Sequence, residues 1–329
     1  MTISDFKEGD TLEGQAFYVQ AKQTAVTKSG NPFLSLKLND KGGSIDAKIW
    51  DAAEQWGRLF EEGDYVSVNG KVGSFNNTLQ LSIKALRRLD EAEVRVEDFL
   101  PVSKRDREEM FHEFLVRIER FSDPWLRRLL ESVFRDDEIA ERFKRAPAAK
   151  GMHHVWIGGL LEHTLELVML ADDVLEHFPA VNRDLLIAGA MLHDLGKIWE
   201  YSYGKAIDYT TEGRLLGHIS MTIDMLGEKI RGMEGFPAET AMLLKHLILS
   251  HHGELEFGSP KRPKTLEAIV LHYLDDLCSK VNNFLSIMEK ERVAPGEWSS
   301  YQRMYERPFY FGQAPEYDSD GEGDTGPTV

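Results

Sequence analysis

Cysteine is almost missing from this chain of 329 residues: Cys278 stands alone. A disulfide framework and a zinc site built on thiolates are therefore excluded, and Cys278 reads as a helix-core residue. Long apolar runs are missing too. No stretch reaches the roughly 18 uninterrupted apolar residues of a membrane span, and the first residues lack the apolar segment of a secretory signal. A soluble, cytoplasmic protein with no membrane partner is expected. Positive charge is also scarce, with 39 Lys and Arg against 55 Asp and Glu, a formal net charge of -16. That balance excludes a protein that grips nucleic acid by overall charge and leaves room only for a local groove. Residues 1–90, with 11 basic and 12 acidic residues, are close to neutral, so the remainder carries the deficit. An acidic body suits cations, and bound cations attract phosphate.

With 42% hydrophobic residues there is ample core, and the length suits two domains. From residue 11 to 89, short alternating runs broken by Gly, Asn and Asp read as antiparallel strands at 12–19, 33–38, 45–50, 65–72 and 79–83. A short helix over 51–60 separates the third from the fourth. Five strands with a helix in that place follow the order of an OB-fold barrel, expected over residues 1–90. Residues 91–109 read as a linker. Beyond it the apolar period changes from 2 to 3.6: Met110, Phe111, Phe114, Leu115 and Ile118 line one helical face, and Ser122-Asp123-Pro124 offers a cap and a first-turn proline. Helices are expected near 155–178, 183–194, 214–232, 237–252 and 264–292, with a hairpin over 199–211. An all-α bundle over 110–292, its core at 150–290, is thus expected after the all-β barrel. A C-terminal extension covers 293–329; from about 313 it has five acidic residues and no basic ones, and disorder is expected there.

The string His193-Asp194-Leu195-Gly196-Lys197 has the residue types of a metal site. A histidine beside an aspartate holds an ion from two directions, and the two carboxylate oxygens of Asp194 can bridge to a second ion. His163, His218, His251, His252 and Asp275 are spread over about a hundred residues, as expected when several helices each bring a ligand to one bundle core. Asp276 competes with Asp275, but helical geometry lets only one of them face the site, and Asp275 is preferred. His251 and His252 are both read as ligands, with the alternative that one contacts substrate or ends its helix. His246 and His272 read as structural, and His112 and His177 as peripheral. Lys197, one turn beyond the His-Asp pair, either offsets phosphate charge or is a solvated helix-end lysine. His153 and His154 either contact substrate phosphate or pack beside the site. Imidazole and carboxylate donors without thiolate fit Mn, Fe, Co or Zn better than a pure Mg or Ca site.

The set His163, His193-Asp194 and Asp275 resembles the H…HD…D pattern of the HD superfamily of metal-dependent phosphohydrolases over roughly residues 150–290, and His218 with His251-His252 resembles the added histidines of its two-metal members. This resemblance implies one ion on His163, His193, Asp194 and Asp275, and another that shares Asp194 and takes His218 with His251 and His252. Asp194 and Lys197 are the candidate catalytic pair. The order of barrel, linker and HD region resembles the YhaM-type bacterial exoribonucleases. Residues 158–164, Ser250-His251-His252-Gly253 with Gly258-Ser259-Pro260, and Trp298 with Arg307-Pro308-Phe309-Tyr310 carry that likeness. It implies Mn-dependent removal of nucleotides from the 3′ end of single-stranded RNA, with single-stranded DNA as a further substrate.

On the barrel, Phe33, Trp50, Tyr65 and Phe75 are candidate stacking residues, and Lys37, Lys48 and Lys71 candidate phosphate contacts. For each aromatic the competing role is barrel core, and for each lysine a solvated strand position. Two other functions stay open at this stage. One is an HD phosphohydrolase of nucleotides or cyclic dinucleotides, although the Gly-Tyr-Pro extension of cyclic-dinucleotide enzymes is absent after His251-His252-Gly253. The other is a non-catalytic single-strand-binding adaptor. Assembly of subunits into a homo-oligomer would let an acidic body form a channel.

Overall fold

The computed structural model describes residues 1–27, 29–76, 78–150, 155–204, 206–291 and 297–312. The alternating N-terminal runs form β1 (Thr11–Val26), β2 (Pro32–Asp40), β3 (Gly43–Ile49), β4 (Tyr65–Phe75) and β5 (Thr78–Leu89), with α1 (Ala53–Gly57) between β3 and β4. They close into a barrel in the order β1-β2-β3-β5-β4. Only the β3 and β5 pairing is parallel. This is an OB-fold. β1 serves both β2 and β4, so it has to bend. It does so at register shifts between Leu12 and Gln15 and between Val19 and Ala21. Phe17, Val19, Leu34, Leu36, Leu38, Val66, Val68 and Leu81 fill the interior. Several strands run longer than the apolar alternation suggests, because backbone pairing continues past the last core residue.

The barrel face opposite this core carries the expected contact residues. Ser35 lies across from Lys48, Lys48 from Ser82, and Ser82 from Lys71. Two lysines thus flank a serine in one row over four strands.

The stretch expected as a linker is held on both sides. Phe99 is buried against Tyr65 and Leu89 of the barrel. Ile157 N–H donates to Pro101 O at 2.8 Å, and Ser103 N–H to Ile157 O at 3.0 Å.

The helical region comprises α2 (Arg107–Ile118), α3 (Pro124–Phe134), α4 (Asp137–Arg145), α5 (Gly159–Leu175), α6 (Arg183–Leu192), α7 (Lys197–Glu200), α8 (Thr211–Arg231), α9 (Ala238–Ser250) and α10 (Leu266–Glu291), with a hairpin of β6 (Tyr201–Ser202) and β7 (Asp208–Tyr209) between α7 and α8. Side-chain caps start most of them. Asp123 accepts from the N–H groups of Trp125 and Leu126 with Pro124 in the first turn, and Asp106, Asp136, Asn182 and Thr210 cap in the same way. Each such cap contributes about 1 kcal/mol. α4 was not expected from the sequence, since only Ile139 and Phe143 of its residues are apolar and buried; two anchors one turn apart are too few to set a period. Every residue of α6 after Arg183 is buried. That helix is the central post of the bundle, and the His-Asp pair follows directly at its end. The segment from 313 lies outside the described residues.

Phe114, fully buried, meets Phe134 at 4.6 Å and Phe143 at 5.2 Å between ring centroids. Phe114→Ala is expected to lower stability by about 3 to 5 kcal/mol, read as a shift of the urea midpoint followed by helical circular dichroism.

Candidate metal centre

Five helices bring the acidic and imidazole side chains to one point. His163 comes from α5, His193 and Asp194 from the end of α6, His218 from α8, His251 and His252 from the end of α9, and Asp275 from α10. His163, His193, Asp194 and His251 are buried. Asp194 stands in the middle. Its Oδ2 lies 3.2 Å from His193 Nε2 and 3.8 Å from His163 Nε2, while Oδ1 lies 3.3 Å from His218 Nε2 and 3.5 Å from His251 Nε2. Asp275 Oδ1 joins the first group, 3.2 Å from His163 Nε2 and 3.7 Å from His193 Nε2. His252 joins the second, its ring 4.3 Å from that of His251 and 5.3 Å from that of His218. One carboxylate therefore has a donor set on each side.

The rings are aimed from behind. Nδ1–H of His193 donates to Ala190 O at 2.8 Å, that of His251 to Ile248 O at 2.8 Å, and that of His252 to Phe257 O at 2.9 Å. A carbonyl only accepts, so the proton sits on Nδ1 and the Nε2 lone pair faces the centre. His218 is set differently. Gly217, at φ +74, breaks α8, which frees the His218 N–H. Glu200 Oε1 accepts it at 3.0 Å and lies 3.2 Å from His218 Nδ1. The approach of α7 to this kink needs a glycine: a Cβ on Gly196 would stand 2.1 Å from His218 O.

Among the described residues, Asp194 Oδ1, His218 Nε2 and His251 Nε2 are buried without a hydrogen-bond partner. Buried polar atoms are rarely left so, and three that converge fit a cation. Two ligands held about 2.1 Å from one ion stand about 3.0 to 3.4 Å apart, which the spacings of Asp194 to His193, His218 and His251 approach. The donor set thus fits divalent ions on both sides of Asp194.

Burial alone would push the Asp194 carboxyl up; the Lys197 ammonium and His193 overcome it and hold the group well below the usual carboxylate range. Asp275 is also held low, burial being outweighed by the hydrogen bond to His163 and by the neighbouring His193. Burial, then the neighbouring His251 and His218, pushes His252 down to about 3.

Lys197 is not a solvated helix end. It is buried, with Nζ 2.6 Å from Asp194 Oδ2. Asp276 turns away and pairs with Lys280 at 2.7 Å. His246 Nε2 accepts from Lys264 N, and His272 Nδ1 donates to His251 O, both at the margin. His153 and His154 lie outside the described residues. On the barrel, Phe33 and Trp50 stack at 4.9 Å, with Lys48 Nζ 5.2 Å from the Phe33 ring. Trp50, Phe75, Lys37 and Lys71 are exposed. Tyr65 takes the core role of its two readings. It is buried between Phe99 and Leu89, and its hydroxyl donates to Gly204 O at 3.0 Å, so its ring offers no stacking face.

Glu200 was missed by sequence reasoning. The available signal was a lone carboxylate in the run Ile198-Trp199-Glu200-Tyr201 just after the His-Asp motif, where a buried acid needs a partner. Cys278 lies behind His163, with Sγ 3.7 Å from Nδ1.

An OB barrel joined to a helical site of this composition defines a nucleic-acid-binding fold coupled to an HD domain. The OB-fold nucleic acid binding domain family matches residues 12–89 and the HD domain family residues 160–279. The 3′-5′ exoribonuclease YhaM of a Geobacillus species is 37% identical over 298 residues, covering 89% of each chain. That of Bacillus subtilis is 36% identical over 288 residues, 87% of this chain and 90% of the other. The chain belongs to the YhaM family of 3′-5′ exoribonucleases. Among solved structures, the second OB-fold domain of replication protein A from Methanococcus maripaludis is 25% identical, covers 27% of this chain and 94% of that one, and has a TM-score of 0.22.

Cys278 is 4% exposed. Its reaction with a thiol-specific disulfide reagent is expected to be at least about a hundredfold slower in the folded protein than in guanidinium, as burial of the sulfur requires; absorbance of the released thiolate reads the rate.

Proposed function

We propose that the protein is a metal-dependent 3′-5′ exonuclease acting on single-stranded RNA, with single-stranded DNA as a further substrate, in the cytoplasm. The observation that carries this reading is the one carboxylate, Asp194, placed between two imidazole-rich donor sets. Residues His163, His193, Asp194 and Asp275 would hold one ion, and Asp194, His218, His251 and His252 the other. Manganese is the first candidate on the resemblance to the YhaM-type enzymes; the donor chemistry by itself fits Mn, Fe, Co or Zn alike. Such a pair supplies a Lewis acid for the phosphate oxygens and an activated water.

The residues do the rest. The Lys197 ammonium fixes the rotamer of Asp194 and offsets its charge, so that the shared carboxylate stays ionised although it is buried. The outward row of Lys48 and Lys71, with Lys37 beside it, would hold phosphates, while the Phe33 and Trp50 stack and Phe75 would take bases. The domain division follows the same logic: residues 1–90 capture the strand, and the bundle of 110–292 cleaves it.

Assembly into a homo-oligomer is part of this reading. Ile269, Tyr273, Leu277, Val281 and Leu285 form an exposed row at four-residue spacing on α10. Such a ridge fits the groove of a second, like helix. Sedimentation of the wild type as more than one copy, and of Leu277→Lys as a smaller species, is the expected result.

The nuclease reading is tested by end-labelled digestion after chelator stripping and manganese addition. Stepwise shortening of single-stranded RNA from its 3′ end is expected. His193→Ala, with an unaltered circular dichroism spectrum, is expected to lose at least about a hundredfold in rate. Undiminished stepwise digestion by that variant would overturn the mechanism.

A further inference from the structure

The β6–β7 hairpin joins the barrel to the metal centre. At its base, Glu200 orients His218, and its carbonyl accepts from Thr210 N at 2.9 Å. Thr210 in turn caps α8, the helix that presents His218. At its tip, Gly204 O accepts from the Tyr65 hydroxyl of the barrel.

A cationic and aromatic cluster sits on it. Lys150 Nζ lies 5.6 Å and Arg214 Cζ 5.7 Å from the centroid of the Tyr209 ring. Both cations share a single acceptor, Asp208 Oδ1, at 2.6 and 2.9 Å. The same oxygen takes Tyr209 N–H at 2.7 Å. Two positive charges against one negative leave the cluster net positive. The Tyr201 ring backs Tyr209 at 5.1 Å, so the tyrosine is braced while its outer part stays open, 38% exposed. Lys150 and Arg214 side chains are 44% and 60% exposed.

Exposed ion pairs of this kind contribute little to stability, about 0 to 1 kcal/mol. A pair of cations around a braced, open aromatic ring is instead the composition of a single-strand contact, where the ring takes a base and the cations take phosphate. The guanidinium has N–H groups beyond the one that meets Asp208. In a region that carries nearly all the negative charge of the chain, such a net positive patch is a local exception that a polyanion could use.

We propose that Lys150, Tyr209 and Arg214 form a second single-stranded RNA contact, between the barrel and the metal centre, that guides the 3′ end of the strand. This rests on the nuclease reading. The test is fluorescence anisotropy of a labelled 20-nucleotide single-stranded RNA on the full-length, chelator-stripped protein, so that no cleavage intervenes. Tyr209→Ala is expected to weaken binding about tenfold, and Tyr209→Phe to restore it, as stacking requires. Arg214→Gln is expected to weaken binding and to reduce the slope of log affinity against log salt by about one. If both Tyr209→Ala and Arg214→Gln bind with wild-type affinity and salt slope, the cluster is only structural and the proposal falls while the nuclease reading stands. A wild type that neither binds nor shortens RNA would remove both.

Discussion

The bundle is organised around the cost of one buried carboxylate. Asp194 is almost inaccessible, and a charge in that position is unfavourable by several kcal/mol unless it is surrounded by opposite charge and donors. The chain answers with Lys197 three residues later, within hydrogen-bond distance of Oδ2, and leaves Oδ1 facing two Nε2 lone pairs that donate nothing. Those lone pairs and that oxygen are all acceptors. A cation placed among them satisfies all three at once. The electrostatic imbalance is therefore the functional design, and the rigid α6 that carries it is buried on every side so that the imbalance cannot relax by movement.

Much of this was legible in the sequence, for reasons that are local. A period of 2 in the N-terminal region and of 3.6 after residue 107 follows from which side chains must face a core. The placement of α1 between β3 and β4 then separates an OB barrel from other small barrels. The chemistry-bearing residues were legible because histidine and aspartate in that order are rarely needed for packing. Asp275 could be preferred over Asp276 because neighbours on a helix point about 100° apart, and the outward residue pairs with Lys280.

What escaped reading is long-range. Glu200 acts only because α7 packs against a break in α8, and that break depends on a positive φ at Gly217 which no periodicity reveals. Tyr65 looked like a barrel aromatic of either kind. Its burial is decided by Phe99 and by the carbonyl of Gly204, 139 residues away. α4 has too few apolar residues to announce itself, and is held by its Asp136 cap and by packing of Phe143 against Phe111, Phe114 and Phe134.

The same contacts that hid Tyr65 from sequence reading tie the two domains together. Its ring joins the core at the base of the barrel, while its hydroxyl reaches the hairpin whose other end holds His218 through Glu200. The barrel and the bundle are thus joined by this hairpin as well as by the held stretch after β5. For an acidic protein this matters. A polyanion cannot be drawn in by net charge, so local cationic and aromatic groups count for more than the overall balance. The hairpin is tied to the barrel through the Tyr65 hydroxyl and to α8 through Glu200 and Thr210, so the barrel and the helix that presents His218 share these contacts.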